Sequence, residues 1–143
     1  HDFRLNVSGA IRTIQAALPA LKKSEHASMV LMSSVAAGVG LNYHTVVASS
    51  KGAIEGLTRA LAAEFAPKIR VNAVALSLTD TPLAQGLLNS EQKVEANAQR
   101  HPMKRIGTTQ DAANMISFLI SDQSAWISGQ IFHVDGGMST LKV

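Results

Sequence analysis

Residues 30–61 read VLMSSVAAGVGLNYHTVVASSKGAIEGLTRAL, and this stretch decides the fold. The apolar run 29–32 at its start is continuous and of strand length, which predicts a strand buried in a parallel sheet. A serine pair ending in Ser34 follows, and a loop with two glycines leads into a predicted helix, Thr45–Phe65, that carries Lys51. In open α/β sheets, ligands bind at the carboxyl ends of the strands. The stretch therefore predicts a strand, a loop and a helix that meet at a ligand-binding edge.

Hydrophobic spacing extends this prediction to the rest of the chain. Through residues 2–23 the apolar positions recur at spacings of four and three, which is typical of one face of an amphipathic helix. Apolar runs predict two more strands, at residues 69–75 and 130–134. Helices and strands alternate, as in α/β proteins. We expect a single domain over residues 1–143, built as the second half of a doubly wound, Rossmann-like, three-layer parallel sheet.

Capping residues predict the helices between the second and third strands. A proline at the start of residues 82–88 suits the first turn of a short helix. Asn89 with Gln92 has the spacing of a capping box, and so does Thr108 with Asp111. Each pair therefore predicts the start of a further helix.

Composition excludes several classes of protein. Hydrophobic residues make up 46% of the 143 residues and charged residues 16%, which is typical of a globular α/β domain. The net charge is only +3 and the basic residues are scattered, so no nucleic-acid surface is predicted. No apolar run approaches the roughly 20 residues that span a bilayer, which argues against a membrane protein. The chain has no cysteine, which excludes disulfides and thiolate metal sites, and we expect a cytoplasmic protein without a metal.

Ser34 and Lys51 carry the chemistry that the sequence predicts. A serine hydroxyl at a strand end can hydrogen-bond a substrate oxygen, and Lys51 follows position 47 by one helical turn. A phenol at position 47 would share a helix face with the ammonium, which would lower the phenol pKa from about 10 and make it a usable acid or base. The residue present is Val47, which has no proton to give.

Two neighbours of Val47 offer an alternative proton donor. His44 precedes it by three positions and Tyr43 by four, so either side chain could share its helix face if the helix starts early. The alternative is that both residues serve packing and capping at the helix start. The sequence leaves this choice open.

The same residues carry a resemblance to a known family. Ser34, Lys51, the run GAIEGLTRALAAEFAPKIRVNAVA after Lys51 and the run SGQIFHVDGG at 128–137 resemble the short-chain dehydrogenase/reductase family. In that family a Ser, a Tyr thirteen positions later and a Lys four further form the catalytic set, joined by an Asn from the preceding helix. The resemblance implies Asn6, Ser34 and Lys51 as catalytic residues, with Val47 in place of the Tyr.

The resemblance also implies a cofactor and a reaction. The chain is similar to the C-terminal portion of 3-oxoacyl carrier-protein reductases, so we expect a parent protein that interconverts a small carbonyl compound and an alcohol with NAD or NADP. Lys51, Leu78 and Thr81 match the family positions that contact this cofactor. Leu76 and Ser77 stand where the family usually has Pro-Gly, which removes a close backbone approach that only Gly permits.

The dinucleotide-binding half of the family fold is not matched by this chain. That half grips phosphate with a Gly-rich turn at a helix N-terminus, and Gly38-Val39-Gly40 lacks the third Gly of such a turn. The chain starts with His1 rather than Met, and its first residues already have a helical pattern. We therefore expect a C-terminal part of a longer protein, without the N-terminal dinucleotide-binding half and without a cofactor bound to this chain.

Two functions remain open from the sequence. The first is an oxidoreductase of this family that is impaired or inactive as this chain, because the Tyr and the Gly-rich turn are missing. The second is a non-catalytic, truncated homologue that acts through its oligomer interface. In the family, the helices that carry the Asn and the Lys pack against a second subunit, and the small residues 48–60 suit such packing. The first strand would also have an unpaired edge. We expect a homo-oligomer, a dimer or tetramer.

Overall fold

A computed structural model describes residues 2–143 of the chain. It consists of a parallel β-sheet with helices on both of its faces. In chain order, a π-helical turn (Arg4–Ser8) runs into α1 (Gly9–Leu21), followed by β1 (Ala27–Ser34), α2 (Thr45–Phe65), β2 (Ile69–Leu76), α3 (Glu91–Gln99), α4 (Thr109–Ile120) and β3 (Ile131–Val134). Short 3₁₀ turns cover Val35–Ala37, Pro82–Leu87 and Asp122–Ser124.

The three strands run in parallel in the order β1-β2-β3. Ser34 lies opposite Leu76, and Leu76 lies opposite Val134, so all three strands end at the same edge of the sheet. Within residues 2–143 β1 pairs with β2 alone, which leaves its other edge without a neighbouring strand. The predicted α/β fold, a partial doubly wound parallel sheet, is confirmed.

Alternation along the strands separates two helical layers. Ala27, Met29, Ile69 and Val71 point to one face, where they form the buried core with Ile14 of α1 and Ala62 of α2. The side chains between them point to the other face. There the Ser28 hydroxyl and the Arg70 guanidinium both donate to the Leu119 carbonyl of α4. The sheet is therefore the middle layer of three.

The predicted helices and strands are present, and their ends differ from the predicted ones where contacts with other segments determine them. Helix α2 has the predicted bounds, but β1 extends beyond residues 29–32 because Ala27, Ser28, Ser33 and Ser34 also pair with β2. The capping box of Thr108 and Asp111 is confirmed at the start of α4.

The capping prediction for α3 is wrong. The N-cap of this helix is Ser90, whose hydroxyl oxygen accepts a hydrogen bond from the Lys93 backbone N–H at 3.3 Å. Asn89 instead uses its side-chain oxygen to accept a hydrogen bond from the Lys93 amine at 2.8 Å. Ser90 is the better cap because its extended backbone (φ −153°, ψ 152°) aims the hydroxyl at the first helical turn.

The glycines of α2 do not serve packing inside the described chain. At both Gly52 and Gly56, the place where a Cβ would lie has no heavy atom of residues 2–143 within 4 Å, apart from the chain neighbours and the helix backbone. Both residues are exposed, as are Ser49, Ala60 and Ala63 on the same side of the helix. The exposed strip of small residues on α2 is therefore open to a partner outside the described chain.

No helix within residues 2–143 is both long enough and apolar enough to cross a membrane.

Candidate active site

Lys51 reaches from α2 into the space between β1 and the π-helical turn. Its Nζ donates to the Asn6 side-chain oxygen at 2.9 Å and to the Met32 backbone oxygen at 3.0 Å. Asn6 lies in the π-helical turn, where the Gly9 N–H bonds to the Arg4 oxygen five residues earlier. Such turns insert one extra residue into a helix and are frequent at functional sites. The structure thus joins two of the residues that the sequence singled out.

Asp2 fixes the orientation of this pair. The Asn6 side-chain amide donates to one Asp2 carboxylate oxygen at 2.9 Å, which leaves the Asn6 oxygen turned towards Lys51. The buried Ser50 hydroxyl donates to the other Asp2 oxygen, also at 2.9 Å. Burial lowers the pKa of Lys51 below its ordinary value, and the Asp2 charge partly offsets that effect. Sequence reasoning missed Asp2, although its spacing of four from Asn6 was a usable signal.

Ser34 ends β1 and caps the 3₁₀ turn that follows it. Its hydroxyl oxygen accepts a hydrogen bond from the Ala36 backbone N–H at 3.2 Å. A serine hydroxyl that accepts in this way keeps its own hydrogen for a second partner. The preceding Ser33 points elsewhere and donates to the Glu55 carboxylate at 2.8 Å. Of the serine pair, Ser34 is the one that lines the cavity at the strand ends.

A cavity of about 470 Å³ lies at the carboxyl ends of β1 and β2. Its wall includes Ser34, Val47, Leu78 and Thr81, three of which are predicted site residues and the fourth the residue in the phenol position. Asn6 and Lys51 do not line it. Lys51 follows Val47 by one turn of α2. The structure therefore gives two features that share this part of α2: the hydrogen-bonded cluster of Lys51 and Asn6, and an open cavity lined by Val47.

The two proposed substitutes for the missing phenol differ in position. Tyr43 is fully exposed, has a left-handed backbone (φ 63°) and does not line the cavity. His44 does line the cavity, beside Val47. Its Nδ1 lies 2.7 Å from the Asn42 backbone oxygen. A backbone oxygen only accepts, so Nδ1 carries a proton and Nε2 is the remaining nitrogen of the ring. Only His44 is therefore placed beside a ligand in this cavity.

The loop after β2 takes its shape from Gly107. The Asp80 N–H donates to the Gly107 oxygen at 2.8 Å, and the Gly107 N–H donates to the Leu78 oxygen at 3.1 Å. A Cβ on Gly107 would lie 3.3 Å from both the Leu78 oxygen and the Thr79 hydroxyl. The close backbone approach in this region thus occurs at Gly107, on a neighbouring loop. The sequence shows Ser77 where the family usually has Gly, but it gives no local signal for the close approach at Gly107.

Comparison with known proteins places the chain in a family. Residues 1–139 match the family model described as enoyl-(acyl carrier protein) reductase. The chain belongs to the short-chain dehydrogenase/reductase family. The resemblance inferred from the sequence is confirmed at the level of the family.

Two curated members of the short-chain dehydrogenase/reductase family illustrate the similarity. The chain is 38% identical over 142 residues to 2-(S)-hydroxypropyl-CoM dehydrogenase 3 of Xanthobacter autotrophicus, covering 96% of this chain and 56% of that protein. It is 36% identical over 137 residues to the 3-oxoacyl-[acyl-carrier-protein] reductase FabG of Thermotoga maritima, covering 95% of this chain and 55% of that protein. The chain therefore spans about half the length of these relatives.

A solved structure from the same family is similar in fold and unusual in its site. It is a short chain oxidoreductase of Pseudomonas aeruginosa with NADPH bound, containing an atypical catalytic center. The TM-score is 0.91 at 27% sequence identity, and the match covers 99% of this chain and 57% of that one.

Proposed function

We propose that this chain is the C-terminal, substrate-binding part of an NAD(P)-dependent oxidoreductase that interconverts a small carbonyl compound and an alcohol. We further propose that its turnover is impaired because Val47 occupies the position of the catalytic phenol. One observation carries the proposal: Val47 lines the cavity one helical turn before an amine that Asn6 holds at 2.9 Å. Ser34, Lys51 and Asn6 stand at the positions that the family resemblance assigns to catalysis, whereas Val47 stands at the position of the phenol.

Ser34, Lys51 and Asn6 have distinct roles in this proposal. The Ser34 hydroxyl faces the cavity with its hydrogen free, so it can donate to a carbonyl oxygen of the substrate. Lys51 supplies a fixed cation, positioned by Asn6. A general acid or base contributes about 10²–10⁴-fold to such reactions, and Val47 cannot contribute it. Ser34 and Lys51 alone would therefore support slow turnover.

Two of the three residues that the family resemblance assigns to a nicotinamide cofactor, Leu78 and Thr81, line the cavity on the side of β2. The third, Lys51, lies outside this lining, with its amine on Asn6 and the Met32 oxygen. When bound, the cofactor would supply or accept the hydride. A Gly-rich phosphate turn is not among residues 1–143, so we propose that it belongs to an upstream part of a longer polypeptide. We expect residues 1–143 alone to bind no NAD or NADP; a micromolar site in calorimetry would overturn this part of the proposal.

The lining of the cavity favours an apolar substrate. Leucines from three segments contribute to the wall: Leu41, Leu76 with Leu78, and Leu83 with Leu87. Apolar pockets with a few convergent polar groups are the usual form of small-molecule sites. The polar groups of the wall include Ser34, His44, Ser77 and His101, and Arg100 adds a cation. We propose a small carbonyl compound with an apolar body.

Hydride transfer in the longer parent polypeptide tests the function. The parent is incubated with deuterium-labelled NADH or NADPH and a panel of small apolar ketones and aldehydes, and the products are analysed for deuterium at the carbinol carbon. We expect slow, detectable transfer that is lost in Lys51→Met. Transfer that never exceeds that of Lys51→Met would reject catalysis and favour a non-catalytic protein.

One observation favours the second candidate, a homologue that works through its oligomer interface. The exposed strip of α2 includes Gly52 and Gly56, where a Cβ would meet open space. Large apolar side chains are exposed nearby along the first helical segment, with Leu5 exposed to 65%. Strips of small residues allow helices to approach closely, and exposed apolar area favours association.

Light scattering tests the oligomer. We expect a dimer or tetramer for the full chain and a smaller species for Gly56→Glu, because a carboxylate would be buried in the helix contact. Gly86→Glu serves as the matched control, since Gly86 is also exposed with open space at its Cβ position but lies outside α2. A monodisperse monomer of the unmodified chain would contradict the proposal.

A further inference from the structure

A second serine in the cavity is bonded to a buried histidine. The Ser77 Oγ lies 2.7 Å from the His101 Nε2, and both residues line the cavity. His101 is only 3% exposed, and its other ring nitrogen, Nδ1, lies 2.8 Å from the Asn97 backbone oxygen. Ser77 follows β2 directly, and His101 follows α3. The fold thus brings a hydroxyl and an imidazole, 24 residues apart, to one wall.

The Asn97 oxygen fixes which ring nitrogen of His101 carries the proton. A backbone oxygen can only accept a hydrogen bond, so Nδ1 must donate to it. In the neutral ring, Nε2 is then an acceptor, and the Ser77 hydroxyl donates to it. This is the order of hydrogen bonds in a serine nucleophile with its base: hydroxyl to base, and base to an orienting acceptor.

Met138 is the other neighbour of the Ser77 hydroxyl. Its sulfur lies 2.9 Å from the Ser77 Oγ, also within hydrogen-bond distance. The hydroxyl has one hydrogen, and a ring nitrogen is a stronger acceptor than a thioether sulfur. The hydrogen therefore belongs to the bond with His101, and the Met138 side chain forms part of the cavity wall beside the oxygen.

Two other serines of the chain lack this arrangement. The Ser34 Oγ lines the same cavity but is bonded to the Ala36 N–H instead of an imidazole. The Ser139 Oγ is 2.6 Å from the His133 Nδ1, but its hydrogen is donated to the Asp135 carboxylate, so His133 does not act on it as a base. Ser77 thus differs from Ser34 in being bonded to a buried imidazole, and from Ser139 in lining the cavity and in donating its hydrogen to that imidazole.

We propose that Ser77 and His101 form a nucleophile–base pair that reacts with small, apolar carboxylic esters, independently of any nicotinamide cofactor. The Ser77 Oγ bonds to the acyl carbon while its proton moves to the His101 Nε2. The ester C–O bond breaks, and the alcohol leaves with that proton. Water then gives a proton to Nε2 and bonds to the acyl carbon, and the carboxylic acid leaves as Ser77 regains its hydrogen. The Nδ1–H bond to the Asn97 oxygen persists throughout and favours the charged ring of the intermediate states.

The expected size of the effect follows from the groups present. A positioned general base contributes about 10²–10⁴-fold. We therefore expect the base to raise the reactivity of Ser77 at least tenfold over a serine without one. The leucines of the cavity wall favour esters with short aliphatic acyl chains, and Arg100 in the same wall disfavours cationic ones.

A fluorophosphonate probe tests the proposal on the full chain. Labelled protein is digested, and the modified serines are located by mass spectrometry. We expect Ser77 to be labelled at least tenfold faster than Ser34, and p-nitrophenyl butyrate to protect it. His101→Asn keeps an amide donor for the Asn97 oxygen but removes the base, so we expect labelling of Ser77 to fall at least tenfold. His133→Gln, which removes the imidazole of the other serine–histidine contact, should leave it unchanged.

Each result decides the proposal. Equal labelling of Ser77 and Ser34, or undiminished labelling of Ser77 in a folded His101→Asn protein, would overturn it. If circular dichroism shows that His101→Asn does not fold, the unmodified chain decides, since labelling of Ser77 that is neither selective nor blocked by the ester also overturns it. None of these readouts requires hydride transfer, so their outcome is separate from that of the proposed oxidoreductase.

Discussion

Restoring a phenol at position 47 is the substitution that we expect to change the activity most. Val47 lies on the cavity wall, one helical turn before Lys51, and residues four apart on a helix are neighbours. The cavity of about 470 Å³ lies in front of the new side chain and offers it space. In Val47→Tyr we therefore expect the hydroxyl to lie at the cavity wall, within reach of the Lys51 amine outside the lining and of a substrate that Ser34 contacts.

The magnitude follows from the role of the group. The Lys51 cation lowers the pKa of a nearby phenol, which makes it an effective acid near neutral pH. General acid catalysis contributes about 10²–10⁴-fold, which corresponds to about 2.7–5.4 kcal/mol of transition-state stabilisation at 1.36 kcal/mol per tenfold. We expect kcat of the longer parent polypeptide to rise within this range in Val47→Tyr.

The assay compares Val47→Tyr with Val47→Phe in the parent polypeptide, with NADH or NADPH and small apolar carbonyl substrates. Phenylalanine fills the same space without a proton, so we expect kcat for it to stay near that of the unmodified protein. Equal rates for the two variants would refute the reasoning, because the phenol would then have no proton-transfer role at this site. Circular dichroism checks that both variants fold.

Three further substitutions test the structure around the site. Thr108→Ala removes the cap of α4 and should lower the unfolding free energy by about 1 kcal/mol in urea titrations. Hydrogen bonds from Arg105 and Thr108 hold the pKa of Asp111 well below its usual range. The ionised Asp111 carboxylate therefore stabilises the folded chain fully above about pH 4, and this stabilisation is lost as the pH falls further. The Tm difference between the unmodified chain and Asp111→Asn should therefore shrink from pH 6 to pH 2; a constant difference would contradict this. Asn72 is fully buried, and its side chain hydrogen-bonds the backbone of Ile127 and Gln130. Asn72→Ala should therefore lower the unfolding free energy by about 1–3 kcal/mol in the same urea titrations. An unchanged urea midpoint would contradict this prediction.

The parts of the fold that sequence reasoning predicted are those set by local patterns. Helix α2 has its predicted bounds because Pro67 follows it closely and its apolar stripe is regular. Strand β2 is buried along nearly its whole length, so its residues form a mostly apolar run that predicts a buried strand. The ends of β1 were missed because Ser33 and Ser34 have no apolar signal and are held by pairing with β2.

The parts of the site that were missed depend on contacts between distant segments. Asp2 meets Ser50 across 48 residues, and Ser77 meets His101 across 24. No local spacing predicts these two contacts, since each joins segments that only the folded chain brings together. The close approach at Gly107 was missed for the same reason, because the residues that crowd it belong to the loop after β2.

The position of the Lys51 amine is the claim on which the proposed oxidoreductase site depends, and a titration of its ¹⁵N resonance tests it most directly. Burial lowers the pKa of Lys51 and the Asp2 carboxylate raises it, so removing that charge in Asp2→Asn should lower the pKa further. Asp122→Asn, which removes an exposed carboxylate beside His26, is the control and should have no effect. We expect Lys51 to titrate below the exposed lysines and to shift down in Asp2→Asn. A Lys51 pKa equal to that of the exposed lysines and unchanged in Asp2→Asn would contradict the site described for this chain.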